Sequence, residues 1–200
     1  EFVEKELKDA VDHGITDLWV INASNIKPHV YPLSFIANLW KRNALSAEEH
    51  RKKYVREYYG TDGTENQLTF MEECISRYPE AMLPFGDRED EHAGEQFCNY
   101  VVRDFIYGWM KDGAVEPVEE LFWCTREDSF CKQVSWFEKK CSQTYDKIEE
   151  LYHKCAAVKE SELWKDSVLL QTEIHKYCLK GSLLFAESFR AYQEKEYKKS

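Results

Sequence analysis

No apolar run in this chain approaches the ~20 residues that a membrane span needs, and no signal peptide is visible at its start. Several chemical signatures are missing as well. There is no C-x-x-C pair, no G-x-S-x-G elbow, no G-x-G-x-x-G turn and no P-loop. Their absence removes the usual supports for a dithiol redox protein, a serine hydrolase, a dinucleotide enzyme or a nucleotidase. Positive charge is in deficit, with 27 basic against 37 acidic side chains and a formal net charge of -10. Such a surface repels phosphate backbones and anionic bilayers, so neither nucleic acid nor a membrane is expected as a partner. No internal repeat or low-complexity tract occurs. The first residue is Glu1 rather than Met, and the chain is read as a processed form or an excised piece of a longer protein.

What is present supports a folded chain. The apolar share of 43% and aromatic share of 14% over 200 residues supply a sizeable core and exclude intrinsic disorder. The seven cysteines, at 74, 98, 124, 131, 141, 155 and 178, form an odd set, six of them inside amphipathic helical patterns. They read as reduced core thiols behaving as small hydrophobes, which favours a reducing, cytoplasmic setting.

Along the chain, helical periodicity dominates. Residues 1–13 form an amphipathic helix with Phe2, Val3, Leu7, Ala10 and Val11 on one face, and Gly14 suits the positive-φ residue after its end. The run Leu18 to Asn22 (LWVIN) then reads as a buried parallel strand. No later segment matches it, and a lone strand cannot satisfy its own backbone, so its partners are expected upstream of residue 1. Pro28 and Pro32 predict an extended loop, with the next helix starting near Leu33 and ending near Arg42. Ser46 and Glu49 form a capping-box pattern for a helix over 47–59, closed by Gly60. A helix over 65–78 carries Leu68, Met71, Cys74, Ile75 and Tyr78 inward, and residues 79–94 form the one long loop. Helices follow over 95–111, 118–124, 129–157 and 160–197. The third of these has a seam through Phe130, Val134, Phe137, Cys141, Tyr145, Ile148 and Tyr152. The last has one through Ser167, Leu170, Ile174, Tyr177, Gly181, Leu184, Ser188 and Phe189, with Gly181 placed for close helix approach. The fold class expected is mainly α: an antiparallel helical bundle over 44–200, preceded over 1–43 by one helix and one strand left over from an α/β barrel.

Few residues point to chemistry. His153 with Cys155 and His175 with Cys178 lack the tight spacing of helical zinc sites and read as core and rim residues, so no metal or cofactor is expected. The acidic pairs read as solvated helix faces, and His29, His50 and His92 have no evident partners. The stretch from Ile15 to Arg42 is different, because irregular backbone at the end of a barrel strand can present polar groups to a ligand. Asn22, Asn25, Lys27 and His29 are its candidate substrate-binding residues: amides bond hydroxyls and an ammonium pairs a carboxylate. No catalytic residue is assigned within the chain.

The segment DLWVINASNIKPHVYPLSFIANLW resembles the part of glycoside hydrolase family 115 that closes its barrel. Val20, Ile21 and Asn22 match the strand end, Ile26, Lys27 and Pro28 the turn, and Pro32, Phe35 and Trp40 the following helix. The preceding helix with Gly14, and Tyr54 to Gly60, match flanking segments. The last helix, with Ala186-Glu187-Ser188-Phe189, is similar more loosely. Where the family pattern has Gly-Asp, this chain has Ser24-Asn25. The resemblance implies an exo-acting α-glucuronidase that removes glucuronic acid or its 4-O-methyl form from xylan, with Asn22 in its active site and its acid upstream of the strand. It also implies a bundle that buttresses the barrel and borders either the substrate cleft or a homo-oligomer interface, inactive alone. Xylan breakdown would admit a periplasmic or secreted setting beside the cytoplasmic one. Two alternatives compete: a non-catalytic acidic all-α protein-interaction module, and a hexosaminidase-like barrel with a trailing bundle. The Lys27-Pro28 turn argues against the second.

Overall fold

The structure is a computed structural model of the chain, and it describes residues 2–23, 26–41, 44–60, 64–86, 92–158 and 161–194. It is mainly helical, as expected. The helices are α1 (Phe2–Asp12), α2 (Val30–Leu39), α3 (Ala47–Tyr59), α4 (Glu65–Arg77), α5 (Glu95–Asp112), α6 (Phe122–Thr125), α7 (Phe130–Ala156), α8 (Glu162–Trp164) and α9 (Leu170–Gln193). A five-residue π-helical segment, Lys165–Leu169, joins α8 to α9. Strands β1 (Leu83–Pro84) and β2 (His92–Ala93) pair antiparallel, so the predicted long loop contains a small hairpin. No described helix is long and apolar enough to cross a membrane.

The chain divides into two compact units, residues 1–76 with 154–171 and residues 77–153 with 172–200. In the first unit, α3 starts as its capping box dictates: the Glu49 N–H donates to Ser46 Oγ at 3.3 Å, and Ser46 N–H donates to Glu49 Oε2 at 2.9 Å. Buried Asn38 on α2 clamps the next turn by bonding both the N–H and the carbonyl of Leu45, at 3.1 and 2.9 Å. Tyr54, Val55 and Tyr59 of α3 are buried, as are Leu68, Met71, Cys74 and Ile75 of α4. Trp164, fully buried, packs edge-on to Tyr59 at 5.3 Å and donates from Nε1 to the Cys155 carbonyl at 2.9 Å. That bond satisfies the one polar atom that burying an indole leaves exposed to cost.

In the second unit, Phe130, Val134, Phe137, Cys141 and Ile148 of α7 are buried along the predicted seam, while Tyr145 and Tyr152 are half-buried. Fully buried Gln133 pins the chain before α6 to α7, accepting from the Val118 N–H at 2.8 Å and donating to its carbonyl at 3.0 Å. Close approach occurs at Gly108 of α5, where an added Cβ would stand 3.0 Å from Val118 and 3.2 Å from Phe130.

Four expectations need correction. The strand predicted at Leu18 to Asn22 is not formed: among the described residues no backbone hydrogen bond engages this run, and Leu18 and Val20 are 74% and 85% exposed. A strand exists only through a neighbouring ladder, and none lies beside it among the described residues. Second, α2 begins at Val30, not near Leu33, after a 3₁₀ turn at Lys27–His29. Each proline sits in a first turn, where its missing N–H would have no helical acceptor anyway. Third, the seam of α9 is misplaced. Thr172, His175, Lys176, Leu179, Ser182, Ala186 and Phe189 face inward, while Leu170, Ile174, Tyr177 and Leu184 are exposed. Gly181 is exposed too, with nothing within 4 Å of an added Cβ, so it serves no close approach. Fourth, five cysteines are buried, but Cys131 is exposed and Cys178 only half-buried, so the thiols are not uniformly core.

Candidate functional site

The candidate stretch begins where α1 stops. Gly14 takes φ +80°, the left-handed conformation a glycine adopts without a Cβ clash, and the chain leaves the helix as irregular backbone. Trp19 anchors that backbone: its ring meets Trp40 edge-on at 4.6 Å and its Nε1 donates to the Ile15 carbonyl at 2.8 Å. The chain then tightens into the 3₁₀ turn at Lys27–His29 and runs into α2.

Of the four residues singled out in the sequence, Asn22 is exposed, and among the described residues its amide has no hydrogen-bond partner. Asn25 lies outside the described residues. Lys27 is exposed and donates from Nζ to Asp166 Oδ2 at 2.8 Å. His29 is exposed at the end of its 3₁₀ turn. The fold therefore gives Lys27 a carboxylate partner and leaves Asn22 and His29 turned to solvent.

Asp166 belongs to the π-helical segment, and its neighbour Ser167 is the second point of attachment there. Ser167 Oγ lies 2.9 Å from Tyr59 Oη and also donates to the Leu163 carbonyl. A hydroxyl has one proton, so Tyr59 is the donor in the shared bond. Burial pushes the Tyr59 phenol above its ordinary range, which keeps that proton in place. π-Helical turns widen a helix and re-aim side chains, and they recur at functional sites. Here the turn aims Asp166 at Lys27 and Ser167 at Tyr59. Sequence reading placed Ser167 on a packing seam and did not single out Asp166, because α8, the π segment and α9 read as one uninterrupted helix.

Among the histidines, His50 departs from its sequence reading, while His175 and His153 fall in the core and at the rim as expected. His50, expected to lack a partner, has its Nε2 2.9 Å from Ser34 Oγ among the rings of Tyr31, Phe35 and Tyr54. Desolvation lowers its pKa below the ordinary imidazole value. His175 is fully buried, neither ring nitrogen has a hydrogen-bond partner among the described residues, and burial depresses its pKa to about 4. His153 is exposed against the Tyr152 ring. Among the described residues no cluster of three or more His, Cys, Asp or Glu side chains could hold a metal ion.

In comparison with protein families, residues 1–83 fit the family described as Glycosyl hydrolase family 115. The match takes in the whole stretch from Ile15 to Arg42 and the α2–α4 region, and it bears out the resemblance over this N-terminal part. The looser likeness of α9 lies outside it. Comparison with curated proteins and with solved structures gives no match.

Proposed function

We propose that this chain, whose residues 1–83 match glycoside hydrolase family 115, serves an enzyme that releases glucuronic acid from a xylan-type polysaccharide. The family match carries the reading, because it runs through Asn22 and the Ile26-Lys27-Pro28 turn. In this reading Asn22 and Asn25 bond sugar hydroxyls and Lys27 takes the uronate carboxylate. The Lys27 ammonium already holds a carboxylate, that of Asp166, in an exposed pair that a ligand can displace at little cost.

The chain acts as a substrate-bordering and buttressing part and does not catalyse alone. Inverting hydrolysis needs two carboxyl groups roughly 6.5–9.5 Å apart with a water between them. The carboxylate set against Lys27 is tied up by that ammonium, which suits a positioning role better than proton transfer.

Soaking glucuronic acid into crystals of the complete enzyme that carries this chain tests the assignment. The sugar is expected within hydrogen-bond reach of Asn22, Asn25 and Lys27. A sugar bound with all three untouched would refute their role.

A further inference from the structure

Away from the Lys27 stretch, the second unit holds a cleft of about 220 Å³ whose walls include Phe85, Trp123, Thr125, Arg126, Trp136 and Lys140. The chain carries a net charge of -10, yet two cationic side chains, Arg126 and Lys140, line this cleft. Neither Arg126 nor Lys140 forms an ion pair among the described residues; the Lys140 ammonium instead lies 5.6 Å from the centre of the Trp136 ring. Trp123 is 56% exposed, although its ring is fixed by edge-on contacts with Phe85 at 5.9 Å and Phe97 at 6.1 Å. An indole held rigid from behind and open in front is a stacking platform with little rotamer entropy left to lose.

The backbone adds a second observation. Arg126 caps the C-terminus of α6 with φ +54°, in the left-handed region that suits glycine or asparagine. Its N–H closes the turn on the Phe122 carbonyl at 2.8 Å, which any residue could do. A long cationic side chain at a glycine-type position costs stability and returns no ion pair among the described residues. Such local misfits accumulate where a ligand is bound.

We propose that this cleft binds a carboxylated pyranose, one hexuronate unit of an acidic glycan. The indoles stack on the C–H face of the ring, and Arg126 and Lys140 take its carboxylate, Arg126 through two parallel N–H donors. The volume suits one sugar ring more than an extended chain. The choice of a sugar over other anionic rings rests on the glycoside hydrolase reading, whereas the preference for an anion with a flat face rests on the cleft alone. A second sugar-holding point outside the family-matched residues would retain acidic polysaccharide near the enzyme between turnovers.

Titrating the full 200-residue chain with sodium D-glucuronate, D-glucose and sodium acetate, followed by tryptophan fluorescence and calorimetry, tests the proposal. Glucuronate should bind at least roughly fivefold more tightly than glucose or acetate, since only it engages both the cations and the rings. Arg126→Gln and Lys140→Gln should each weaken it by a similar factor, and Trp123→Ala should abolish it. Arg126→Gly serves as the folding control, because glycine suits that backbone: binding should fall while the unfolding temperature does not. Equal affinity for glucose means the cations are idle, equal affinity for acetate means the rings are idle, and unchanged binding in the variants places the sugar elsewhere; each overturns the proposal, as does no binding at all. The parent enzyme's activity on uronides is a separate readout, so failure here and failure of the hydrolase reading are told apart.

Discussion

Lys27 reaches across 139 positions of sequence to set its ammonium 2.8 Å from the Asp166 carboxylate, joining the predicted site loop to the π-helical segment before α9. Both side chains are mostly solvated, at 65% and 60% exposure. Exposed pairs contribute little net stability, so Lys27→Ala should change the urea-unfolding free energy by no more than about 1 kcal/mol. A larger loss would assign Lys27 to the architecture of the unit instead of to ligand binding.

His175 makes stability pH-dependent. Its folded pKa, depressed by burial to about 4, lies below the ordinary value of 6.5, so the unfolded chain binds the proton that the folded chain refuses. The sign follows: stability is full above pH 6.5 and falls as the pH drops toward 4, by an amount on the order of 2–3 kcal/mol. His175→Leu removes two buried nitrogens that have no partner among the described residues and should flatten the urea midpoint between pH 6.5 and 4.5. Some slope should persist, because burial shifts His50 in the same direction. An unchanged slope in the variant would show that His175 is protonated in the folded chain.

The register of α9 is testable with two truncations. Phe189 is buried against Trp109 and Phe130, each at 5.1 Å, so Phe189→Ala should cost about 3 kcal/mol. Leu184 is 53% exposed, and Leu184→Ala should cost about 0.5 kcal/mol or less. Comparable costs at the two positions, measured by urea unfolding, would mean the inward face is drawn wrongly.

Arg126 offers the opposite sign. Glycine adopts its φ of +54° freely, so Arg126→Gly should raise stability by roughly 0.5–1 kcal/mol after the entropy of the unfolded chain is counted. Thermal unfolding reads the change directly, and a lower midpoint would show that the arginine side chain has a structural partner.

Much of this fold was legible because large side chains announce their period. The α7 seam repeats Phe, Val, Phe and Ile at helical spacing, and the Ser46/Glu49 box set the start of α3 to the residue. The α9 seam misled because two stripes compete on that helix. The stripe of Leu170, Ile174, Tyr177 and Leu184 is the more apolar, yet the inward one carries Thr172, His175, Lys176 and Ser182. Lys176 gains its burial from the Tyr152 ring, 3.6 Å from its ammonium, a compensation hydropathy does not register. The run at Leu18 to Asn22 has the composition of a strand, but pairing is a property of neighbours and not of the run. As for the candidate site, its residues could be named from the sequence and their partner could not, because Asp166 is aimed by a π turn that leaves no mark in the helical period.

The most direct test of the functional account is an assay of this chain alone on xylooligosaccharides bearing glucuronic acid or its 4-O-methyl form, with released uronic acid measured against a blank. No release above the blank is expected under conditions in which circular dichroism confirms a helical fold. Glucuronic acid set free by the isolated chain would contradict that expectation.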